Sequence, residues 1–138
     1  MPDHNLQSYV KLAVFVFGNA DLPEDNLPIR LVSELQKKFP HIQFLVQDPN
    51  EEWEVPEKLV VLDTVVGIKE VQVFDDLTKF QPPPRISMHD FDAYANLRLL
   101  QKLGKLKHIT IIGISPLVKE RLALRKVAFL LDKIYKNT

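Results

Sequence analysis

Residues 11–39 read KLAVFVFGNADLPEDNLPIRLVSELQKKF. The first seven are almost unbroken apolar, with aromatic and β-branched members, as in a strand buried on both faces. GNADLPEDNLP then gathers Gly, Asn, Asp and Pro, the residues of a strand-to-helix loop. From Pro28 to Phe39, Leu31, Leu35 and Phe39 recur at four-residue spacing and Val32 widens the stripe. Lys37 and Lys38 fall in the last turn, where cations suit the helix dipole. Asp25 or Asn26 would cap the start, Pro28 fits a first-turn position, and Pro40 stops the helix. A buried strand, a short loop and an amphipathic helix are half of a parallel crossover unit, and this selects the α/β class.

The rest of the chain extends that pattern. IQFLVQ (42–47) reads as a second strand, DPNEEWEVPE as a polar loop, and KLVVLD (58–63) as a central strand. TVVGIKEVQVFDDL turns at Gly67 into a more amphipathic strand in which Val71 and Val73 alternate with polar neighbours, an antiparallel edge strand around 70–76. QPPPR is stiff and extended and cannot lie inside a sheet. DFDAYANLRLLQKL (90–103) reads as a helix capped by Asp90 or Asp92, with Leu99, Leu100 and Leu103 on its apolar side. HITIIGISP is a further strand. Residues 117–135 are helical, with Leu124, Val127, Leu131 and Ile134 in register. The expectation is one domain over 1–138, a three-layer αβα sandwich with a mostly parallel, five-stranded twisted sheet.

Composition narrows the functional classes. Eighteen basic residues balance eighteen acidic ones, so nothing global steers the chain toward nucleic acid or an anionic membrane. The Lys/Arg-rich stretches LQKLGKLKH and KERLALRK read as solvated helix faces and ends. The absence of cysteine removes disulfides, thiolate metal sites and cysteine nucleophiles. Apolar runs such as LAVFVF are too short to span a bilayer, and MPDHNLQSYV lacks the order of a secretory leader. The expectation is a cytoplasmic domain without membrane insertion.

Familiar catalytic motifs are missing: no GxGxxG or Walker loop follows the first strand, and there is no GxSxG or HExxH. Three acidic or imidazole positions remain. Asp25, with Asp21 and Glu24 nearby, follows the first strand. Asp63 ends the third, where a carboxylate must reach solvent, accept backbone hydrogen bonds or meet a cation. His89 lies in ISMHDFDAY. In a shared parallel sheet all three could meet at its carboxyl edge, giving an O, O, N set open to a divalent ion. Zinc and nickel both accept imidazole, so the set does not choose between them. The competing reading of each residue is plain: turn formation or helix capping for the carboxylates, and an ordinary hydrogen-bonded residue for His89. His4, His41 and His108 are placed away from the site. Trp53, in its acidic loop, reads as local packing or a crevice wall.

Four blocks in order resemble the nickel–iron hydrogenase maturation endopeptidases: FGNADLPEDNLPIRLV, VVLDTVVG, SMHDFDAYANL and TIIGISP. That resemblance implies an αβα fold and a cytoplasmic peptidase that removes the C-terminal extension of a hydrogenase large-subunit precursor. It implies nickel supplied by the substrate and no permanently bound metal, with zinc or cadmium as stand-ins in a crystal. It places the metal-contacting and catalytic roles on Asp25, Asp63 and His89, with Glu24 as an assistant. The chain departs from the family pattern at Val16, Asn26 and Pro28, where glycine or a small residue is usual. Three other readings stay open: a nickel-recognising module that does not cut, an unrelated metal-dependent hydrolase, and a structural α/β domain whose Asp and His residues only cap helices.

Overall fold

The fold, taken from a computed structural model, is described for residues 12–19, 21–47, 53–77 and 88–136; the side chains of residues 24 and 88–91 lie outside that description. Five strands occur among the described residues: β1 (Ala13–Val16), β2 (Gln43–Val46), β3 (Lys58–Thr64), β4 (Val71–Phe74) and β5 (His108–Ile114). Three helices accompany them: α1 (Leu27–Lys38), α2 (Met88–Lys102) and α3 (Glu120–Ile134). The sheet order is β2-β1-β3-β5-β4. β2, β1, β3 and β5 are parallel, and β4 runs antiparallel to β5, with Val71 opposite Ile114 and Phe74 opposite Ile111. The expected element order, the five strands and the antiparallel edge strand are all present.

Strand alternation sorts the core into two halves. Val14, Val16, Val60, Leu62, Ile112 and Ile114 face α1 and α3, where Leu31, Leu35, Val127 and Leu131 meet them. Phe15, Phe17, Leu59, Val61, Ile109 and Ile111 face the other way, onto Ala93, Tyr94 and Leu97 of α2. The central strands are apolar at successive positions because both faces are covered. Val16, where the resembling family has glycine, is fully buried in the first half.

Two local readings change. The buried face of α2 is Ala93, Tyr94 and Leu97, with Leu100 partly buried, while Leu99 and Leu103 are exposed. The 3.6-residue period continues from Ala93 through Leu97 to Leu100 and leaves Leu99 and Leu103 on the outer side. The helix begins at Met88, so Asp90 and Asp92 lie inside its first turns and are not its caps. At α1, Asn26 holds the N-cap position without a side-chain cap bond, and Asp25 closes the preceding 3-10 turn, Pro23–Asp25. Pro28 fits the first turn as expected, since the backbone N–H it lacks has no intrahelical acceptor there. Among the described residues no helix is long and apolar enough to cross a membrane.

Candidate active site at the carboxyl edge of the sheet

The topology singles out one crevice. From β1 the chain leaves to α1 on one face and returns as β2. From β3 it continues through β4 to α2, on the opposite face, and returns as β5. The order therefore reverses between β1 and β3, which are neighbours. Ligands of open α/β sheets bind outside the carboxyl ends of the strands at such a switch point. Asp25 lies in the loop after β1, and Asp63 is the penultimate residue of β3. Both residues thus lie at the carboxyl edge of the sheet, after neighbouring strands.

The loop bearing Asp25 folds back on its own strand. Phe17 N–H donates to the carbonyl of Leu62 at 2.9 Å, extending the β1–β3 ladder to the residue before Asp63. Beyond it, Asn19 N–H donates to the Asp25 carbonyl at 3.0 Å. Asp25 N–H donates to Leu22 O at 2.9 Å, and Leu22 N–H donates to Asn19 O at 3.1 Å. The Asn19 side-chain oxygen accepts from Asp21 N–H at 2.9 Å, so both the backbone and the side chain of Asn19 tie the loop down. Gly18 makes this return possible. Its φ is +152°, and a Cβ there would stand 2.6 Å from the Asp25 carbonyl oxygen. Asp25 is 8% exposed, whereas Asp21 is exposed at the surface.

Asp63 is fully buried. One carboxylate oxygen, Oδ1, accepts Thr64 N–H at 2.8 Å; the other, Oδ2, accepts the Tyr94 hydroxyl at 2.9 Å. Each carboxylate oxygen has a second lone pair, so these bonds orient the group without exhausting it. Tyr94 also meets Phe17 edge to face at 5.5 Å between ring centroids, and Phe17 stacks on Trp53 at 5.6 Å. Trp53 further contacts Phe15 at 5.6 Å. The tryptophan is therefore a packing residue, as expected, and the aromatic chain it anchors ends on the hydroxyl that holds Asp63. Nothing in the local spacing marked Tyr94, because its partner lies thirty-one residues away and on another element.

Gly113 is paired opposite Asp63 across β3 and β5. A Cβ on it would come within 2.8 Å of Val65 Cγ2 and 3.0 Å of Phe74 Cε2, so the strand beside the carboxylate is closely packed.

His89 is the second residue of α2. Its backbone lies five residues before Tyr94, about 7.5 Å along the axis at 1.5 Å per residue. The helix end that carries His89 is thereby the end nearest Asp63; the imidazole itself, like the Glu24 side chain, lies outside the described residues. Of the 79–88 stretch, expected with the Trp53 loop to wall the crevice, residues 79–87 also lie outside the described residues, as does His4. Among the described residues no group of three potential metal ligands is assembled. His108 opens β5 at the opposite edge of the sheet, and His41 lies at the exit of α1, both away from the crevice as expected.

Tyr94→Phe isolates the hydroxyl. It removes one donor from a buried carboxylate while keeping the ring that packs on Phe17. The expected cost is about 1–3 kcal/mol, because a buried charged acceptor loses a partner. Thermal unfolding should show it as a lowering of about 3–10 °C at this chain length.

Three solved structures share this fold over nearly the whole chain. The hydrogenase maturating endopeptidase HybD from E. coli aligns with a TM-score of 0.66 and 17% identity, over 89% of this chain and 93% of that one. An endopeptidase from Escherichia coli determined in solution aligns with a TM-score of 0.63 and 17% identity, over 89% and 94%. The [NiFe] hydrogenase maturation protease HycI from Thermococcus kodakarensis aligns with a TM-score of 0.59 and 16% identity, over 96% and 99%. No protein-family model matches the chain, and no curated protein sequence matches it. At these identities the likeness is one of fold.

Proposed function

We propose that this chain is a peptidase that trims the C-terminal extension of a nickel-loaded hydrogenase large-subunit precursor. The observation that carries the reading is the position of Asp25 and Asp63 after the neighbouring strands β1 and β3, at the switch point of the sheet, with α2 tied to Asp63 through Tyr94. The sequence blocks that resemble the maturation endopeptidases fall on these same elements, and solved structures of that type share the fold.

In this reading nickel belongs to the substrate. Asp25, Asp63 and His89 offer two carboxylates and an imidazole, a donor set that suits a divalent transition ion. Their grip on the ion fixes the precursor tail in the crevice, and positioning of that kind supplies much of a hydrolase's rate. A metal at the scissile bond polarises the carbonyl and eases ionisation of a water. Tyr94 and Thr64 hold the Asp63 carboxylate in one orientation. Asn19 and Gly18 fix the backbone of Asp25. Glu24 is an assistant on the same turn.

One observation favours a second reading, a recognition module that binds without cutting. Val16 and Pro28, two departures from the family pattern, are buried in β1 and in the first turn of α1, and a loop altered there would hold the precursor without cutting it. The test is the intact mass of a purified, nickel-loaded precursor after incubation with this chain. Loss of a mass equal to the C-terminal extension is the expected result. A stable complex with the precursor mass unchanged selects the recognition module, and no complex with no cleavage overturns both.

A further inference from the structure

A second surface lies on the opposite side of the sheet from Asp63. α3 covers the β1, β3 and β5 side chains but leaves a groove of about 430 Å³ against the edge strand β4. Val71, Leu122, Phe129 and Leu130 supply its apolar wall, and Arg125 and Lys126 its polar one. Phe129 is 64% exposed and Leu122 44%, large apolar side chains that a monomer seldom groups together. Val73, two residues along β4 from Val71 on the same face, is exposed as well.

Cations outnumber anions on the helix that bears this apolar stripe. α3 carries Arg121, Arg125, Lys126 and Lys133 against Glu120 and Asp132. Glu120 is engaged with Arg30 of α1 at 3.1 Å, and Lys126 with Glu70 at 3.1 Å. Lys133 lies over the Phe129 ring, 5.6 Å from its centroid. Arg125 forms no ion pair among the described residues. A neutral chain has thus concentrated cations beside its exposed apolar side chains.

We infer that the groove between α3 and β4 receives an acidic amphipathic helix of a partner protein. Leu122 and Phe129 are seven residues apart, two helical turns and roughly 10.5 Å, which matches the i to i+7 repeat of apolar anchors on a helix laid alongside. A carboxylate flanking those anchors would meet Arg125 and compete with Glu70 for Lys126, which sets partner choice by charge. The surface is concave and bounded by a strand, which suits a helix better than a flat lipid surface. Helix binding here is independent of any peptidase activity at the crevice.

The probe is a fluorescent helical peptide of about 18 residues with leucines at i, i+3 and i+7 flanked by glutamates, set against a twin with lysines in place of the glutamates. The full chain is expected to bind the acidic peptide at least about tenfold more tightly than the basic one. Phe129→Asp is expected to weaken that binding at least about tenfold. Arg125→Glu is expected to reverse the preference between the twins. Both positions lie on the outer side of α3, and matching thermal melts would show the fold intact; the two variants act through different chemistry, so either alone keeps the test decisive. Equal binding of the twins, or indifference to both substitutions, overturns the inference. So does a dimer in sedimentation that Phe129→Asp dissociates, which would make a second copy the occupant. Binding to phosphatidylserine vesicles without binding to the peptide overturns it too.

Discussion

Asp63→Asn is expected to leave the fold standing and to lower processing of the nickel-loaded precursor by at least about a hundredfold, the scale on which metal-site groups act. The amide keeps the shape of the carboxylate. Its oxygen still accepts Thr64 N–H, and its NH₂ faces the Tyr94 hydroxyl, which can accept in place of donating. What is lost is the negative charge and one anionic donor for a cation. Asp63→Leu separates this from a structural role. It removes the acceptor of two buried donors at once, and leaving them unpaired is expected to cost about 2–5 kcal/mol. Circular dichroism melts and precursor mass, measured on both variants, should therefore split: Asn stable and inactive, Leu unstable and inactive. An active Asp63→Asn protein would reduce the residue to a packing element that joins β3 to α2.

Gly18→Val should be the most damaging single change in the loop. Two costs coincide there. The positive φ of +152° disfavours any side chain, and a Cβ would stand 2.6 Å from the backbone oxygen of Asp25, a contact that no rotamer relieves. Strain and overpacking together are expected to cost about 2–4 kcal/mol. The loop can escape only by moving Asp25 away from β1, which breaks the Asn19 N–H to Asp25 carbonyl bond. Misplacement on that scale should cut processing by about a hundredfold. Gly104→Val is the matched control. Gly104 also has a positive φ, +76°, but a Cβ there would meet nothing within 4 Å, so only the conformational strain remains. A smaller loss of stability and unchanged processing are expected there. Equal effects of the two substitutions would show that the close approach to Asp25 is irrelevant.

The sheet and its layers were legible because the strands announce themselves. β1, β3 and β5 are buried on both faces, so their runs are apolar without alternation, whereas β4 lies at the edge and is covered only in part, with Gln72 and Val73 exposed between half-buried Val71 and Phe74. Helix α1 was legible from its four-residue spacing and the prolines at its ends. α2 was less so. Its sequence is apolar on more than one side, so Leu99 and Leu103 competed with Ala93 and Leu97, and only the packing against Phe17 and Val61 decided the face. The carboxylates were legible from their positions at strand ends. Tyr94 was not, since a long-range hydrogen bond leaves no local spacing. Gly18 could be seen as a turn residue, but the reason for it, the returning carbonyl of Asp25, is a three-dimensional fact. The groove beside β4 was hidden for a related reason. KERLALRK read as a solvated helix face, and only its placement next to an edge strand groups Arg125 with Leu122 and Phe129.

The central claim is that the crevice reads nickel carried by another protein. Its most direct measurement compares the intact mass of one hydrogenase large-subunit precursor, prepared with and without nickel, after incubation with this chain and with Asp25→Asn. The native chain is expected to shorten only the nickel-loaded precursor, and Asp25→Asn is expected to shorten neither. Equal shortening of both forms by the native chain, or full activity of Asp25→Asn, would contradict it.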